Sequence, residues 1–502
     1  MVPILDVDRP SATSSKIWAD HVATNALYDS QVNVDAGNCL AGTRTALIER
    51  FLTAVRQRSS ECPLTWMHGP AGAGKSAIMR TVAERLDDEG ALLGSFFFFH
   101  DDPQRNGSIN FVITLAYQIR SAIPCLRDGI DSALKDDPLL LQKPLPRQLR
   151  QLILRPMQEA FRQGFLDASD SLQPYVVVVD GVDECGMKGT RQREQHLILD
   201  ILKELAEKSP LPLTILLASR PERHLHQVFS RTPLKDRTST LALDDSWSPN
   251  EDIRLFLKHE FALIRCLHIL GDSLPREWPS PSVIEALVYR ASGQFVYAAT
   301  VVRFIANGYG DPAHFLEIVL GLRKTGNHRP FETLDDLYHL IFQNIEDDVR
   351  KQIIRTVAIS RALCGLNTAL VSWADIFPAS DFKLAVSQLG AVASGVDEVY
   401  SYKIHFYHKS FTEFLDDPAR SLHLYASPAL VASWIICGEL AMWEGNGYGQ
   451  HASFHFRRSD PCCRSALLAT TNAFPPSSSS GSTVHRLGLQ GRPNRRTDRS
   501  PG

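Results

Sequence analysis

The chain lacks the features that would assign it to a membrane, a secreted or a nucleic-acid-binding class of proteins. Its 9 cysteines include no C-x-x-C pair and no cluster with zinc-ligand spacing, which predicts reduced thiols. No apolar run approaches the ~20 residues that span a bilayer, and the N-terminus has no basic stretch followed by an apolar one. The formal net charge of -3 provides no attraction for nucleic acid or anionic lipid. We therefore expect a cytoplasmic protein without nucleic-acid or membrane partners.

The two ends of the chain differ in composition from its middle. Residues 1–35 are polar and show no sustained periodicity, which predicts a loose N-terminal arm. The C-terminal residues are rich in Ser, Pro, Gly and Arg and include PPSSSSGS at 475–482. Residues 475–502 are therefore predicted to be disordered.

Between these ends, short apolar runs alternate with amphipathic stretches, as in a parallel α/β sheet. Beyond Ser248 the strand pattern fades and helices dominate, which places a domain boundary near residue 245. Ser248, Pro249 and Glu251 predict a capping box at the start of the first of these helices. The predicted strands are Leu64–Met67, Gly94–Phe99, Tyr175–Val179, Leu213–Ala218 and Ser239–Leu243. Later patterns predict helices at Val283–Ile305, Leu334–Ile345, Val349–Leu363 and Lys409–Leu415, and a hairpin at Val399–His408.

Residues 69–76 read GPAGAGKS, a G-x-x-x-x-G-K-S motif between an apolar strand and the start of a helix. In this context the glycines allow backbone N–H groups to form a concave nest for the β-phosphate at the positive end of a helix dipole. Lys75 is expected to reach the β- and γ-phosphates, and the Ser76 hydroxyl is expected to bind Mg²⁺. The alternative, a glycine-rich turn that matches by accident, is disfavoured by the strand–loop–helix context. The expected phosphate-binding residues are Gly69, Pro70, Ala71, Gly72, Ala73, Gly74, Lys75 and Ser76.

A phosphate site needs an acid for its metal ion, and YVVVVDGVDE at 175–184 supplies one at the end of an apolar strand. Asp180 is the expected Mg²⁺ partner, whereas Asp183 or Glu184 could polarise an attacking water as a general base. A strand that simply ends in an acidic turn is the alternative, which the P-loop upstream makes less favourable. The two motifs together predict a nucleoside triphosphate site.

A further strand, LTILLAS at 213–219, ends at Arg220. Beside the acidic strand, its guanidinium would lie near the γ-phosphate and would respond to hydrolysis. The alternative is that Arg220 pairs with surface carboxylates.

The segments GPAGAGKS, VVVVDGVDEC and LLASRPE resemble the NACHT family of STAND-class NTPases, particularly the fungal NACHT proteins. The resemblance extends to CLAGTR at 39–44, which in that family precedes the P-loop and implies that Thr43 and Arg44 lie near the nucleotide base. It also extends to FYHKSFTEF at 406–414, which is similar to the winged-helix motif F-x-H-x-S-F-x-x-F of the family. The resemblance implies that His408 contacts the β-phosphate of bound ADP and closes the resting state.

Two departures from the family pattern are visible in the sequence. Gly293-Gln294-Phe295 stands where many relatives carry G-x-P in the lid, which puts a base contact by Phe295 in doubt. The sensor repeats and the N-terminal effector domain usual in the family are not apparent, so we expect a truncated or minimal member. The resemblance implies a P-loop NTPase parallel sheet at 36–245, a helical lid at 246–325, a winged helix at 326–425 and a partial helical segment at 426–474.

The function implied by the resemblance is a nucleotide-controlled switch with slow NTP hydrolysis. ADP would hold the resting state, whereas ATP or GTP with Mg²⁺ would favour an open form that assembles with copies of itself. Such switches act in signalling, including fungal self/non-self recognition and innate-immunity-like responses. Two alternatives stay open, a turnover ATPase of the AAA type and a non-catalytic interaction module that holds ADP as a structural ligand.

Overall fold

The structure is a computed structural model that describes residues 12–56, 63–166, 175–187, 189–231, 234–306, 310–321, 332–343, 345–363, 379–398 and 401–435. The predicted disordered tail at 475–502 and residues 436–474 of the predicted partial helical segment lie outside these ranges. Within these ranges, none of the helices combines the length and the apolar character that crossing a bilayer requires.

A five-stranded parallel sheet forms the centre of the N-terminal half. Its strands are β1 Leu64–His68, β2 Leu92–Phe97, β3 Tyr175–Asp180, β4 Leu213–Ser219 and β5 Thr238–Ala242. They lie side by side in the order β2-β3-β4-β1-β5. The predicted parallel α/β sheet is therefore confirmed, and β4 lies between the strand that precedes the P-loop and the strand that ends in Asp180.

The sheet lies between two apolar cores, because alternate side chains of a strand point to opposite faces. Val177 and Val179 of β3 belong to one core, Val176 and Val178 belong to the other, and all four are fully buried. Burial of each such side chain contributes roughly 1.5–3 kcal/mol. The continuous valine run thus holds β3, and the acidic residues after it, in the middle of the domain.

Helices precede, connect and cover these strands. They are α1 Ala12–His21, α2 Gln31–Ala36, α3 Thr45–Arg56, α4 Lys75–Asp88, α5 Phe111–Ala122, α6 Arg127–Asp136, α7 Leu145–Gln148, α8 Arg155–Arg162, α9 Arg191–Lys208, α10 Arg223–Phe229 and α11 Leu234–Arg237. Shorter 3-10 turns lie at Thr24–Ala26, Pro124–Leu126, Leu140–Gln142 and Val182–Glu184, and a π-helical turn lies at Leu149–Leu154.

The described residues of the C-terminal half form helices and one antiparallel hairpin. The elements are α12 Pro249–Leu267, α13 Pro281–Ala291, α14 Phe295–Ala306, α15 Pro312–Gly321, α16 Glu332–Gln343, α17 Asp347–Leu363, α18 Ala379–Gln388, β6 Ala393–Glu398, β7 Ser401–Phe406, α19 Lys409–Asp416 and α20 Pro418–Ser421. Short 3-10 turns lie at Asp245–Trp247, Gly271–Ser273 and Leu422–Leu424, and residues 428–435 are helical. A single apolar core extends from Ile253 to Leu424, so the segments predicted as lid and winged helix pack together.

The N-terminal arm is not loose from Trp18 onward, contrary to the expectation from its polarity. Trp18 is 6% exposed, and its Nε1 donates to Asp131 at 3.3 Å. The backbone N–H of Ala23 donates to the hydroxyl of Thr114 at 3.0 Å. The prediction was wrong because a few apolar residues, rather than a sustained pattern, anchor this segment to the sheet domain.

The predicted capping box of α12 is also wrong. Ser248 occupies the N-cap position, but its φ of 48° is left-handed and its side chain makes no capping hydrogen bond. Glu251 does not reach back, because its carboxylate lies 2.6 Å from Nη1 of Arg254 in the next turn. The helix nevertheless begins at Pro249, as predicted.

Candidate functional site

The P-loop leaves β1 and enters α4 at the carboxyl edge of the sheet. Gly72 and Gly74 have φ values of 77° and 88°, a backbone conformation that residues with a Cβ rarely adopt. No side chain caps α4, so the first-turn N–H groups, which have no intrahelical acceptor, remain available to a ligand. Lys75 Nζ donates to the carbonyl oxygens of Gly69 at 2.9 Å and Pro70 at 2.8 Å. The loop therefore has the features of the predicted phosphate nest.

Helix α14 begins directly against the P-loop. The sequence predicted one helical stretch here, but Ser292 and Gly293 have φ values of 49° and 78° and separate α13 from α14. The backbone N–H of Val296 donates to the carbonyl oxygen of Gly72 at 3.3 Å. A Cβ on Gly72 would lie 2.3 Å from Val296 Cγ1. Gly72 is thus required for the backbone conformation and for the approach of α14.

We expect Gly72→Ala to push α14 away from the P-loop, because the added methyl group must displace Val296. An overpacked contact of this kind costs about 1–3 kcal/mol. Gly37→Ala is the matched control, because Gly37 has a φ of 81° but no atom within 4 Å of an added Cβ. Thermal unfolding should give a lower Tm for Gly72→Ala than for Gly37→Ala. Equal Tm values would show that the added methyl group fits without displacing α14.

The acidic strand brings its carboxylate to the same edge of the sheet. Asp180 ends β3, is 3% exposed, and lies beside the Ser76 side chain. Burial raises the pKa of Asp180 to about 6, whereas the Ser76 hydrogen bond and the charge of Arg80 lower it in part. The structure therefore brings together the two residues predicted to bind Mg²⁺.

The residues at this edge fit a nucleotide bound with Mg²⁺. Ser76 and Asp180 supply the hydroxyl and carboxylate oxygens that Mg²⁺ prefers. Oδ2 of Asp183 is buried and accepts no hydrogen bond. In the part of the chain that the structure describes, no three His, Cys, Asp or Glu side chains converge on one point.

Asp183 and Glu184 lie on the turn after β3, among positively charged groups. Asp183 Oδ1 accepts from the backbone N–H of Arg220 at 2.9 Å, and its Oδ2 lies 3.3 Å from Arg220 Nε and 3.8 Å from Lys409 Nζ. Glu184 Oε2 accepts from the backbone N–H of His100 at 3.2 Å. Burial alone raises the pKa of Glu184, but the His100 hydrogen bond and the charges of Lys409 and Arg220 hold it well below its usual range.

Arg220 follows β4 and points to a different element of the fold. Its Nη1 donates to both carboxylate oxygens of Glu413 in α19, at 2.7 and 3.0 Å. Burial lowers the pKa of Lys75, the charge of Asp183 opposes this effect, and the charge of Arg220 adds to it. Arg220 is therefore within electrostatic reach of Lys75. Its carboxylate partner, Glu413, belongs to α19 and not to the sheet domain that contains Arg220.

His408 lies at the N-cap of α19 with its ring in a defined tautomer. Its Nδ1 accepts from the backbone N–H of Ser410 at 3.0 Å, and the Ser410 hydroxyl lies 2.7 Å from that of Tyr338. Because Nδ1 is an acceptor, the neutral ring carries its proton on Nε2. Burial, followed by the positive charges of Arg220 and Lys75, lowers the pKa of His408 to about 3. His408 is thus a neutral N–H donor within electrostatic reach of Arg220 and Lys75.

Thr43 and Arg44, predicted near the base, have different surroundings. The Thr43 hydroxyl donates to the carbonyl oxygen of Leu40 at 2.7 Å, within its own turn. Arg44 Nη2 donates to the carbonyl oxygen of Ala73 at 3.1 Å, and its guanidinium lies 4.9 Å from the ring centre of Phe295. Arg44 and Phe295 therefore border the P-loop together, whereas the Thr43 side chain is occupied locally.

Four residues at the site were not assigned a role from the sequence. His100 follows β2, and only the rule that parallel strands share a carboxyl edge points to it. Lys409, Thr412 and Glu413 share one face of α19 by their helical spacing, and they stand within the FYHKSFTEF motif. Their partners are far away in sequence, so no local pattern could assign them.

Comparisons with known proteins cover this site in part. The family model described as Nephrocystin 3, N-terminal, matches residues 42–220, which include the P-loop, the acidic strand and Arg220 but not α19. The chain is similar to a Signal Transduction ATPase with Numerous Domains protein with a tetratricopeptide repeat sensor from Pyrococcus horikoshii. That similarity has a TM-score of 0.39 and 10% identity, and it covers 78% of this chain and 45% of that chain. The chain thus spans less than half the length of the Pyrococcus protein.

Two further solved structures are similar at a comparable level. The ORC2 protein of Aeropyrum pernix, in ADPNP-ADP complexes, has a TM-score of 0.35 and 10% identity over 80% of this chain and 96% of that chain. AMPPCP-bound DnaA of Aquifex aeolicus has a TM-score of 0.23 and 12% identity over 81% of this chain and 90% of that chain. No curated protein matches the chain.

Proposed function

We propose that the chain is a nucleotide-controlled switch of the NACHT type, closed with ADP and open with ATP or GTP and Mg²⁺. The observation that carries this proposal is the contact of α19 with the candidate phosphate site. One helix face engages three residues of the sheet domain that lie around the acidic turn. The contacts are Glu413 with Arg220 at 2.7 Å, Lys409 with Asp183 at 3.8 Å and Thr412 with His100 at 2.9 Å.

The closed form follows from what these contacts occupy. In the proposed hydrolytic role, Arg220 would stabilise charge on the γ-phosphate, but its guanidinium is bound to Glu413. Asp183 lies between Arg220 and Lys409, so its charge is already compensated. We infer that hydrolysis is slow while α19 is in place. The hairpin β6–β7 before α19 and the helices α16 to α18 are consistent with a winged helix at 326–425 after a lid at 246–325.

The chain has the groups that such a switch needs to distinguish two nucleotides. Lys75 and His408 would donate to the phosphates, and Ser76 and Asp180 would hold Mg²⁺, which neutralises phosphate charge. A γ-phosphate adds negative charge that competes with Glu413 for Arg220. A shift from 1:99 to 99:1 needs about 5.5 kcal/mol of differential binding. Two or three charge-assisted hydrogen bonds, at roughly 1.5–3 kcal/mol each, supply that amount.

The resemblance extends this proposal to the setting of the switch. We propose that the open form associates with further copies of the chain in the cytoplasm, in fungal signalling of a recognition or defence type. Steady-state phosphate release by the purified protein should be slow. Rapid, sustained release would contradict the switch and favour a turnover ATPase.

We expect acid to weaken the docking of α19 through His408. The pKa of His408 is about 3 in the docked form, against about 6.5 for a solvated histidine. Docking therefore has its full strength above pH 6.5 and loses strength as the pH falls below that value. In protein without nucleotide, α19 should open about three- to tenfold more often at pH 5.5 than at pH 7.5, measured as hydrogen exchange of Lys409–Asp416 relative to the central strand Tyr175–Asp180. The His408→Asn variant has no titratable group at this position but keeps Asp180, whose pKa of about 6 lies in the same range. The pH dependence should be absent in this variant. If it is unchanged, a group other than His408 causes it.

Hydrogen–deuterium exchange tests the switch directly. We expect the amides of α19, Lys409–Asp416, to exchange faster with a non-hydrolysable triphosphate and Mg²⁺ than with ADP, because the open form releases this helix. The central strand Tyr175–Asp180 serves as the internal control and should be equally protected in both states. If α19 is equally protected with ADP and with the triphosphate, the proposed opening does not occur.

A further inference from the structure

His100 joins the acidic turn to α19. Its ring lies between Glu184 and Thr412, with Nδ1 3.3 Å from Glu184 Oε2 and Nε2 2.9 Å from Thr412 Oγ1. Its backbone N–H also donates to Glu184 Oε2 at 3.2 Å. Thr412 is 1% exposed, so water does not compete for the α19 end of this hydrogen-bond chain.

The hydrogen-bond directions in this chain are set by Thr412. Its hydroxyl donates to the carbonyl oxygen of Lys409 at 2.9 Å, so it accepts from Nε2–H of His100. Asp101 Oδ1, 3.1 Å from the same nitrogen, is a second acceptor. A neutral ring with its proton on Nε2 has no proton for Glu184, whereas a doubly protonated ring donates to both sides. The side chain of His100 therefore donates to Glu184 only when Nδ1 also carries a proton, and the hydrogen bond to Thr412 at Nε2 holds the ring in the orientation that points Nδ1 at Glu184.

We propose that His100 is a positioning residue that transmits the position of α19 to Glu184, so that docking of α19 restrains the carboxylate and release of α19 frees it. This inference rests on the proposed function and names the regulation of the same site. The regulated step is attack of water on the γ-phosphorus. The new bond forms between the water oxygen and phosphorus, the bond to the bridging oxygen of the leaving diphosphate breaks, and Glu184 takes the proton of the water.

The charges around Glu184 support the same coupling. Burial raises its pKa, but the His100 hydrogen bond and the charges of Lys409 and Arg220 lower it well below its ordinary value. A carboxylate with a lowered pKa is a weaker general base. Lys409 belongs to α19, so its charge leaves Glu184 when the helix leaves. Release of α19 therefore removes both the anchor on His100 and part of the charge that weakens the base.

The test separates hydrolysis from nucleotide release in the full chain. Thr412→Val removes the hydroxyl at nearly constant volume, and Thr412→Ser keeps it. Each variant is loaded with radiolabelled ATP and Mg²⁺, or with GTP if the wild type binds only GTP, and single-turnover phosphate release is measured. Dissociation of a fluorescent ADP analogue is measured in parallel, and Tm values confirm that each variant is folded.

We expect Thr412→Val to hydrolyse the bound triphosphate about five- to tenfold faster than the wild type, as for loss of one hydrogen bond. Thr412→Ser should stay within about twofold of the wild type. In a His100→Gln background, Thr412→Val should have no further effect on hydrolysis, because the link is already broken. If Thr412→Val speeds ADP dissociation but leaves single-turnover hydrolysis unchanged, the role of His100 is wrong while the proposed switch survives. A wild type whose α19 does not respond to nucleotide would instead overturn the proposed function.

Discussion

Lys75→Ala should abolish nucleotide binding. The Lys75 ammonium is held at the P-loop, 2.9 Å from the carbonyl oxygen of Gly69 and 2.8 Å from that of Pro70. As a phosphate donor it would provide charge-assisted hydrogen bonds of roughly 1.5–3 kcal/mol each. Loss of two such bonds lowers the affinity by at least about 100-fold. Titration calorimetry with ADP and with ATP or GTP measures this change directly.

Thermal unfolding provides an independent measurement of the same loss. At a ligand concentration of 100 times Kd, ADP should stabilise the wild type by about 2.7 kcal/mol, and Lys75→Ala should show no such increase in Tm. Lys208→Ala is the matched control, because Lys208 lies at the exposed end of α9 and pairs with Glu204 at 2.7 Å. If Lys75→Ala keeps the Tm increase of the wild type, the phosphate site has been placed wrongly.

Glu413→Lys should release α19 and open the switch. The substitution removes the two hydrogen bonds from Arg220 and places a second cation beside its guanidinium. The lost bonds cost roughly 1.5–3 kcal/mol, and like charges near a protein surface repel by up to about 4 kcal/mol at close contact. Glu413 is about a third exposed, so solvent screens part of this repulsion. We expect ADP to dissociate at least about 100-fold faster than from the wild type.

The same helix offers a control for Glu413→Lys. Asp416 pairs with Arg361 at 2.9 Å and its side chain is 68% exposed, so Asp416→Lys makes the same charge change at a solvated position. Surface pairs of this kind contribute about 0–1 kcal/mol, and dissociation of ADP should change by less than about fivefold. Stopped-flow release of a fluorescent ADP analogue distinguishes the two variants. Equal acceleration in both would mean that a general loss of helix stability, rather than the Arg220 contact, controls release.

Much of the candidate site was predictable because its motifs are local. The eight residues from Gly69 to Ser76 combine glycines, a lysine and a hydroxyl between a strand and a helix, and that order alone predicts the nest. Asp180 was predictable because an apolar run long enough for a buried strand ends at it. Both predictions needed only neighbouring residues, and the structure brings Ser76 and Asp180 together at the edge of the sheet.

The weaker predictions concerned segments in which another residue, near or distant, offers a competing contact. The N-terminal arm lacks a periodic pattern, but Trp18 in this arm donates a hydrogen bond to Asp131 in α6. The capping box at Ser248 has the right residue types, yet Glu251 has a competing partner in Arg254. In each case the local signal was correct about composition, and a residue elsewhere decided the conformation.

The sequence by itself determined the P-loop, the parallel sheet and Asp180 at the edge of that sheet. Strand periodicity and turn chemistry act over only a few residues, so they can be read locally. Only the tertiary structure decided what lies against that loop. Arg220 and Glu413 are separated by 193 positions, and His100 and Thr412 by 312, so no periodicity connects them. The packing of α19 creates these pairs, and the resulting contacts turn a nucleotide site into the proposed switch.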